Sequence, residues 1–202
     1  MSTYNNLQLI GLSGTFGSGK DTLARQLAKD FSYTHVSTGD ILREFTMKEH
    51  GSIERPLLYA TGEKLRKEIG ADALVVKALE KPRPLVITGM RSLGEAKAIK
   101  AAGGKLVFLD APLNLRYERM RSRKRDHEVG LSLEEFQARE ADEWYMGDDD
   151  ADFNLKGVKA MSDFVIDNGL PLREFLESAY EKLGFKNEES GARPDGSDAR
   201  QT

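Results

Sequence analysis

The sequence predicts an α/β fold, a five-stranded parallel sheet with helices on both faces, and two observations carry that prediction. Five short apolar runs, LQLIGLSG (7–14), THVST (34–38), PLVITGM (84–90), KLVFLDAP (105–112) and SDFVID (162–167), mostly lack strict alternation. Strands buried on both faces read this way. Helical patterns fall between and after them, at 20–31, 39–50, 56–80, 92–102, 112–125, 132–145 and 171–183. Strands alternating with helices argue for a parallel sheet covered on both sides.

Composition bounds the class. The chain has 202 residues, 31% of them charged, a net charge of -3 and no cysteine. A length of this order can bury a real core, and we expect one domain over 1–185 with appended lobes. Without cysteine there is neither a disulfide framework nor a thiolate metal site. No apolar run approaches the roughly 20 residues that span a bilayer. The polar start MSTYNN lacks the features of a secretory signal, so a cytoplasmic protein with no membrane partner is expected. The charge balance gives no general reason to expect nucleic acid.

The first strand runs into the glycine-rich turn GTFGSGK (14–20) and then into a helix with Leu23, Leu27 and Phe31 on one face. Glycines let such a loop curl so that backbone N–H groups of Thr15, Phe16, Gly17, Ser18, Gly19 and Lys20 point at an anion. The helix N-terminus adds its dipole and Lys20 a full charge. From Gly14 to Gly19 and Lys20 the spacing fits G-x-x-x-x-G-K between a strand and a helix, so a P-loop NTPase fold with a cradle for a polyphosphate is expected. Asp21 stands where a hydroxyl residue is expected. An aspartate suits the first turn of a helix and can hold magnesium through water, while Thr22 is turned by about 100°.

The second strand leads into STGDILR (37–43), which resembles the acceptor-nucleotide helix of adenylate kinases and so of the nucleoside monophosphate kinases. The resemblance implies Thr22 on a donor phosphate, Thr38 and Asp40 near the acceptor, and Arg43 on its phosphate. The interval 38–82 is longer than a crossover requires and is expected to form an acceptor-binding lobe over the strand ends. RPLLYATGEKLRKEIGADALV (55–75) and VITGMRSLGEAKAIKAAGGKLVFLDAP (86–112) resemble the phage-type deoxynucleoside monophosphate kinases. That resemblance adds Arg66 and Arg91 to the acceptor site, with Arg91 clamping the transferred phosphate. The carboxylate those families place at the end of this strand is absent, because Thr88 and Gly89 stand there. Asp110, ending the next strand, or Asp21 is left to take its place.

Residues 112–150 are expected to form a lid. In LRYERMRSRKRD (115–126), Leu113, Tyr117 and Met120 make an apolar stripe flanked by arginines, of which Arg119, Arg123 and Arg125 are assigned to the phosphates as lid arginines of nucleotide kinases are. Trp144 is expected to pack the lid. SDFVIDNG resembles the last strand and turn of nucleotide kinases and of dephospho-coenzyme A kinases, which implies Asn168 beside the adenine of ATP. GDDDAD (147–152) lacks the spacing of a calcium loop and reads as a solvated turn. The tail 186–202 is polar and expected to be disordered.

These residues point to transfer of the γ-phosphoryl of ATP to a nucleoside or deoxynucleoside monophosphate. Two alternatives stay open. A dephospho-coenzyme A kinase-like enzyme would phosphorylate a hydroxyl with Asp40 as base. A nucleotide-dependent RNA or protein assembly factor would use the arginines for docking. Base, sugar and oligomeric state are not readable.

Overall fold

The computed structural model describes residues 7–123 and 130–185. Five strands, β1 (Leu9–Gly14), β2 (Thr34–Ser37), β3 (Leu85–Met90), β4 (Lys105–Asp110) and β5 (Phe164–Asp167), form one sheet in the order β2-β3-β1-β4-β5. Every pairing is parallel. Helices cover both faces, so the expected α/β class and the P-loop arrangement hold. No helix among the described residues is long and apolar enough to cross a membrane.

Both faces of the sheet are dry, which explains the non-alternating runs. On one face Leu12, Val86 and Val107 pack with Leu23 and Leu27 of α1 (Lys20–Phe31) and Phe175 of the last helix, α9 (Leu172–Leu183). On the other, Leu9, Ile87 and Phe108 pack with Ile99 of α5 (Leu93–Ala101) and Val158 of α8 (Leu155–Met161). The central strand β1 is buried at every position.

Between them lie α2 (Thr38–His50), α3 (Arg55–Glu68), α4 (Ala73–Ala78), α6 (Leu113–Arg123) and α7 (Leu133–Trp144). The single helical pattern expected at 56–80 is thus two helices. Gly70 has φ +135, a left-handed conformation that interrupts the helix. The short helix α8 was not expected; the Asn154 side chain caps it by accepting from the Gly157 amide at 2.7 Å.

One irregularity in the sheet positions the site. Leu12 pairs with Thr88 but Ser13 with Met90, so β3 carries an extra residue at Gly89, whose φ is +97. A Cβ there would lie 2.6 Å from Thr38 Oγ1. Glycine lets α2 begin directly against the strand end, and the extra residue carries Arg91 to the mouth of the loop that follows β1.

Candidate active site

The carbonyls of the loop from β1 to α1 are held by side chains. Four successive carbonyls accept hydrogen bonds: Thr15 from Lys20 Nζ at 3.2 Å, Phe16 from Arg116 Nη1 at 3.4 Å, Gly17 from Arg119 Nη1 at 3.4 Å and Ser18 from Asn168 Nδ2 at 2.8 Å. In a planar trans peptide C=O and N–H point in opposite directions, so pinning these carbonyls also pins the amides. Gly17 and Gly19 have φ of +72 and +93, and a Cβ on Gly17 would lie 2.5 Å from the Arg116 carbonyl. The glycines therefore supply both the left-handed turn and the room for α6 to dock on it. Thr15 Oγ1 and Ser18 Oγ are buried without a hydrogen-bond partner among the described residues.

Arg116 departs from the sequence reading, which left it on the flank of an apolar stripe. It is buried, pairs with Glu140 of α7, and donates to the Ala111 carbonyl at 2.7 Å. It joins α6, α7 and the loop. Arg119 and Asn168 lie behind the loop: Arg119 Nη2 donates to the Asn168 carbonyl at 3.0 Å. Asp110 is committed elsewhere, accepting from Lys159 Nζ at 2.9 Å and from the Ala111 amide at 2.9 Å. Trp144 packs edge-on against Phe108 of β4, centroids 6.4 Å apart.

In front of the loop is a cavity of about 260 Å³ bounded by the loop, α2, α3 and the segment after β3. Phe16, Lys20, Asp21, Thr38, Asp40, Arg43, Arg66, Arg91 and Arg123 all line it, which gathers the five expected acceptor residues with three of the expected ATP-binding residues and one lid arginine; Gly14, Thr15, Gly17, Ser18, Gly19, Thr22, Arg119 and Asn168 do not line it. Arg125 lies outside the described residues. Arg43 pairs with Asp40 at the start of α2. Arg66 makes no ion pair among the described residues. Burial pushes the Lys20 ammonium below its ordinary value, against the opposing pull of Asp21 and with the help of Arg91.

Arg91 is the most elaborately placed cation. Its guanidinium lies between the rings of Phe16 and Phe153, 5.8 and 5.6 Å from their centroids, and forms an ion pair through Nε with Glu143 Oε2 at 3.1 Å. Its amide donates to Glu95 Oε2 at 2.8 Å, and Ser92 and Glu95 complete a capping box that starts α5. Burial raises the carboxyl of Glu143, an effect that Arg91 and Lys20 oppose.

Sequence reasoning missed Glu143, Phe153, Glu95, Arg25 and His35. The last two line the cavity, and His35 Nε2 lies 3.0 Å from Thr88 Oγ1. The S-x-x-E spacing of Ser92 and Glu95 was a legible cap signal. Nothing in the acidic run of α7 distinguishes Glu143 from its neighbours.

A sequence profile described as an AAA domain matches residues 10–143. A UPF0200 protein of Thermococcus onnurineus is 31% identical over 184 residues, 86% of this chain and 95% of the relative. One of Methanococcus vannielii is 32% identical over 184 residues, 85% of this chain and 92% of the relative. Among solved structures, shikimate kinase from Acinetobacter baumannii in complex with shikimate superposes with a TM-score of 0.61 at 17% identity, over 89% of this chain and 94% of that one. Shikimate kinase from Aquifex aeolicus gives 0.56 at 19% identity, over 87% and 96%. At such identities the likeness is one of fold, and the fold is that of the P-loop kinases.

Proposed function

This chain belongs to the AAA-domain family and to the UPF0200 proteins, and from that premise we propose that it transfers the γ-phosphoryl of ATP to a nucleoside or deoxynucleoside monophosphate. One observation carries the reading. The cavity that opens from the phosphate loop is lined by Lys20, Arg43, Arg66, Arg91 and Arg123. Two anionic groups must approach each other for transfer between phosphates, and only fixed cations make that approach favourable.

The chemistry divides among the chain's own groups. Loop amides and Lys20 hold the donor phosphates, with Asn168 and Arg119 bracing the loop. Arg43 and Arg66 hold the acceptor phosphate. Arg91 spans donor and acceptor with its planar fork, and Arg123 adds charge from α6. An acceptor phosphate is already ionised at neutral pH, so no protein base is needed. Phe16 and Phe153 pack against the Arg91 guanidinium.

Magnesium fits this donor set. Asp21 lines the cavity beside Lys20, and no three acidic or histidine side chains among the described residues form a metal cluster. Such a set suits an ion held mainly by phosphate and water with one carboxylate nearby. Asp21 would hold such an ion through water, and the ion would supply positive charge to the donor phosphates.

A hydroxyl acceptor, as in a dephospho-coenzyme A kinase-like reaction, is the second reading, because Asp40 lines the cavity where a base would be wanted. Its ion pair with Arg43 and its exposed position favour an orienting role instead. ADP formation from ATP with each nucleoside monophosphate, dephospho-coenzyme A and shikimate tests the proposal. A monophosphate is expected to be the best acceptor. A clear preference for a hydroxyl substrate, or salt-sensitive nucleic-acid binding with no transfer at all, overturns it.

A further inference from the structure

Glu143 occupies a position where the proposed phosphotransferase would not be expected to leave a carboxylate. Its side chain is 13% exposed and reaches Arg91 Nε at 3.1 Å. Arg91 and Lys20 are the two cations nearest the reacting phosphates in the reading above. One turn earlier on α7, Glu140 pairs with Arg116, whose Nη1 also reaches the Phe16 carbonyl at 3.4 Å. One face of α7 thus applies two carboxylates to the phosphate-loop region, one to a structural arginine and one to a functional one.

The two pairs differ in kind. Arg116 is buried and its Nε is occupied by the Ala111 carbonyl, so the Glu140 pair is built into the fold. Arg91 lines the cavity with a side chain 39% exposed, and the Nε edge of its fork is the one that Glu143 occupies. A phosphate can take such a fork with two parallel hydrogen bonds. A buried carboxylate is tolerated only while a cation compensates it, and a polyphosphate would claim Arg91.

From this geometry we propose that Glu143 is an internal phosphate surrogate, a carboxylate that neutralises Arg91 and is displaced when a polyphosphate binds. The assignment rests on the polyphosphate reading of the loop. It gives the site a built-in threshold: a ligand gains Arg91 only if its own charge and geometry outcompete Glu143. A triphosphate does so and a monoanion does not.

The test uses inorganic tripolyphosphate with the full-length protein and Glu143→Gln, by calorimetry in divalent-free buffer and again with magnesium. Glutamine keeps the shape and removes the competing charge, so the variant is expected to bind tripolyphosphate about tenfold tighter without metal. Equal or weaker binding overturns the assignment. So does a variant whose metal-free affinity is unchanged but whose gain from magnesium is lost, since Glu143 would then be a metal ligand. If wild type and variant both fail to bind, the polyphosphate reading falls and the inference with it.

Discussion

Asn168 Nδ2 donates to the Ser18 carbonyl at 2.8 Å, while the Asn168 carbonyl accepts from Arg119 Nη2 at 3.0 Å. The turn after β5 and helix α6 therefore grip the phosphate loop through one buried asparagine. Asn168→Ala leaves the Ser18 carbonyl without that donor and loosens the loop. Loss of a buried hydrogen bond costs about 1–3 kcal/mol, so the KM for ATP should rise about tenfold with a smaller change in kcat. Steady-state kinetics at varied ATP check this, and an unchanged KM would show that the brace does not preorganise the loop.

Arg91 and Asp40 separate the two acceptor readings. Arg91→Lys replaces a planar fork held between two rings by a point charge, and kcat should fall by about a hundredfold with a monophosphate acceptor. Asp40→Asn releases Arg43 and should reduce activity several-fold without abolishing it. Activity measurements on both variants decide. If Asp40→Asn is inactive while Arg91→Lys is near normal, a hydroxyl acceptor replaces the monophosphate.

Arg116 tests the structural side. Arg116→Ala leaves Glu140 in a mostly buried place without its guanidinium, and breaking a buried pair by removing one partner costs about 3 kcal/mol. Urea denaturation should show that loss. A variant as stable as wild type would mean that α7 is not held by this pair.

Glu143 gives a pH prediction. Burial holds its carboxyl above the ordinary 4.5, outweighing Arg91, Lys20 and Arg55, with Glu140 acting in the same direction as burial. A raised value means that the group's favourable contribution is complete below the unfolded value and is lost as pH rises through the folded one. Glutamine cannot ionise. The melting temperature of Glu143→Gln relative to wild type should therefore increase as pH rises from about 4 toward about 7. A relative decrease over that range would show that the ion pair outweighs burial.

Local periodicity made the strands and most helices legible, because strands buried on both faces give unbroken apolar runs such as Leu9–Leu12 and Leu106–Leu109. The phosphate loop was legible because glycine at 14, 17 and 19 answers a backbone demand that no other residue meets cheaply. What stayed hidden depends on distant pairing. Arg116 looks like Arg119 in the sequence, and only the approach of α7 makes one a buried pivot and the other a brace for the loop turn. Glu143 gained its place from the same docking. Asn168, expected near adenine, has its amide turned to the Ser18 carbonyl, a contact between residues 150 apart in the chain that no local pattern encodes.

The central claim is the destination of the phosphoryl group, and phosphorus NMR of the product reads it directly. Wild-type protein with ATP, magnesium and the best monophosphate acceptor should generate the paired resonances of a nucleoside diphosphate derived from that acceptor. Lys20→Ala, correctly folded, should lower their rate of appearance by at least about a hundredfold. A phosphate monoester on a sugar hydroxyl, or release of inorganic phosphate alone, would contradict the account.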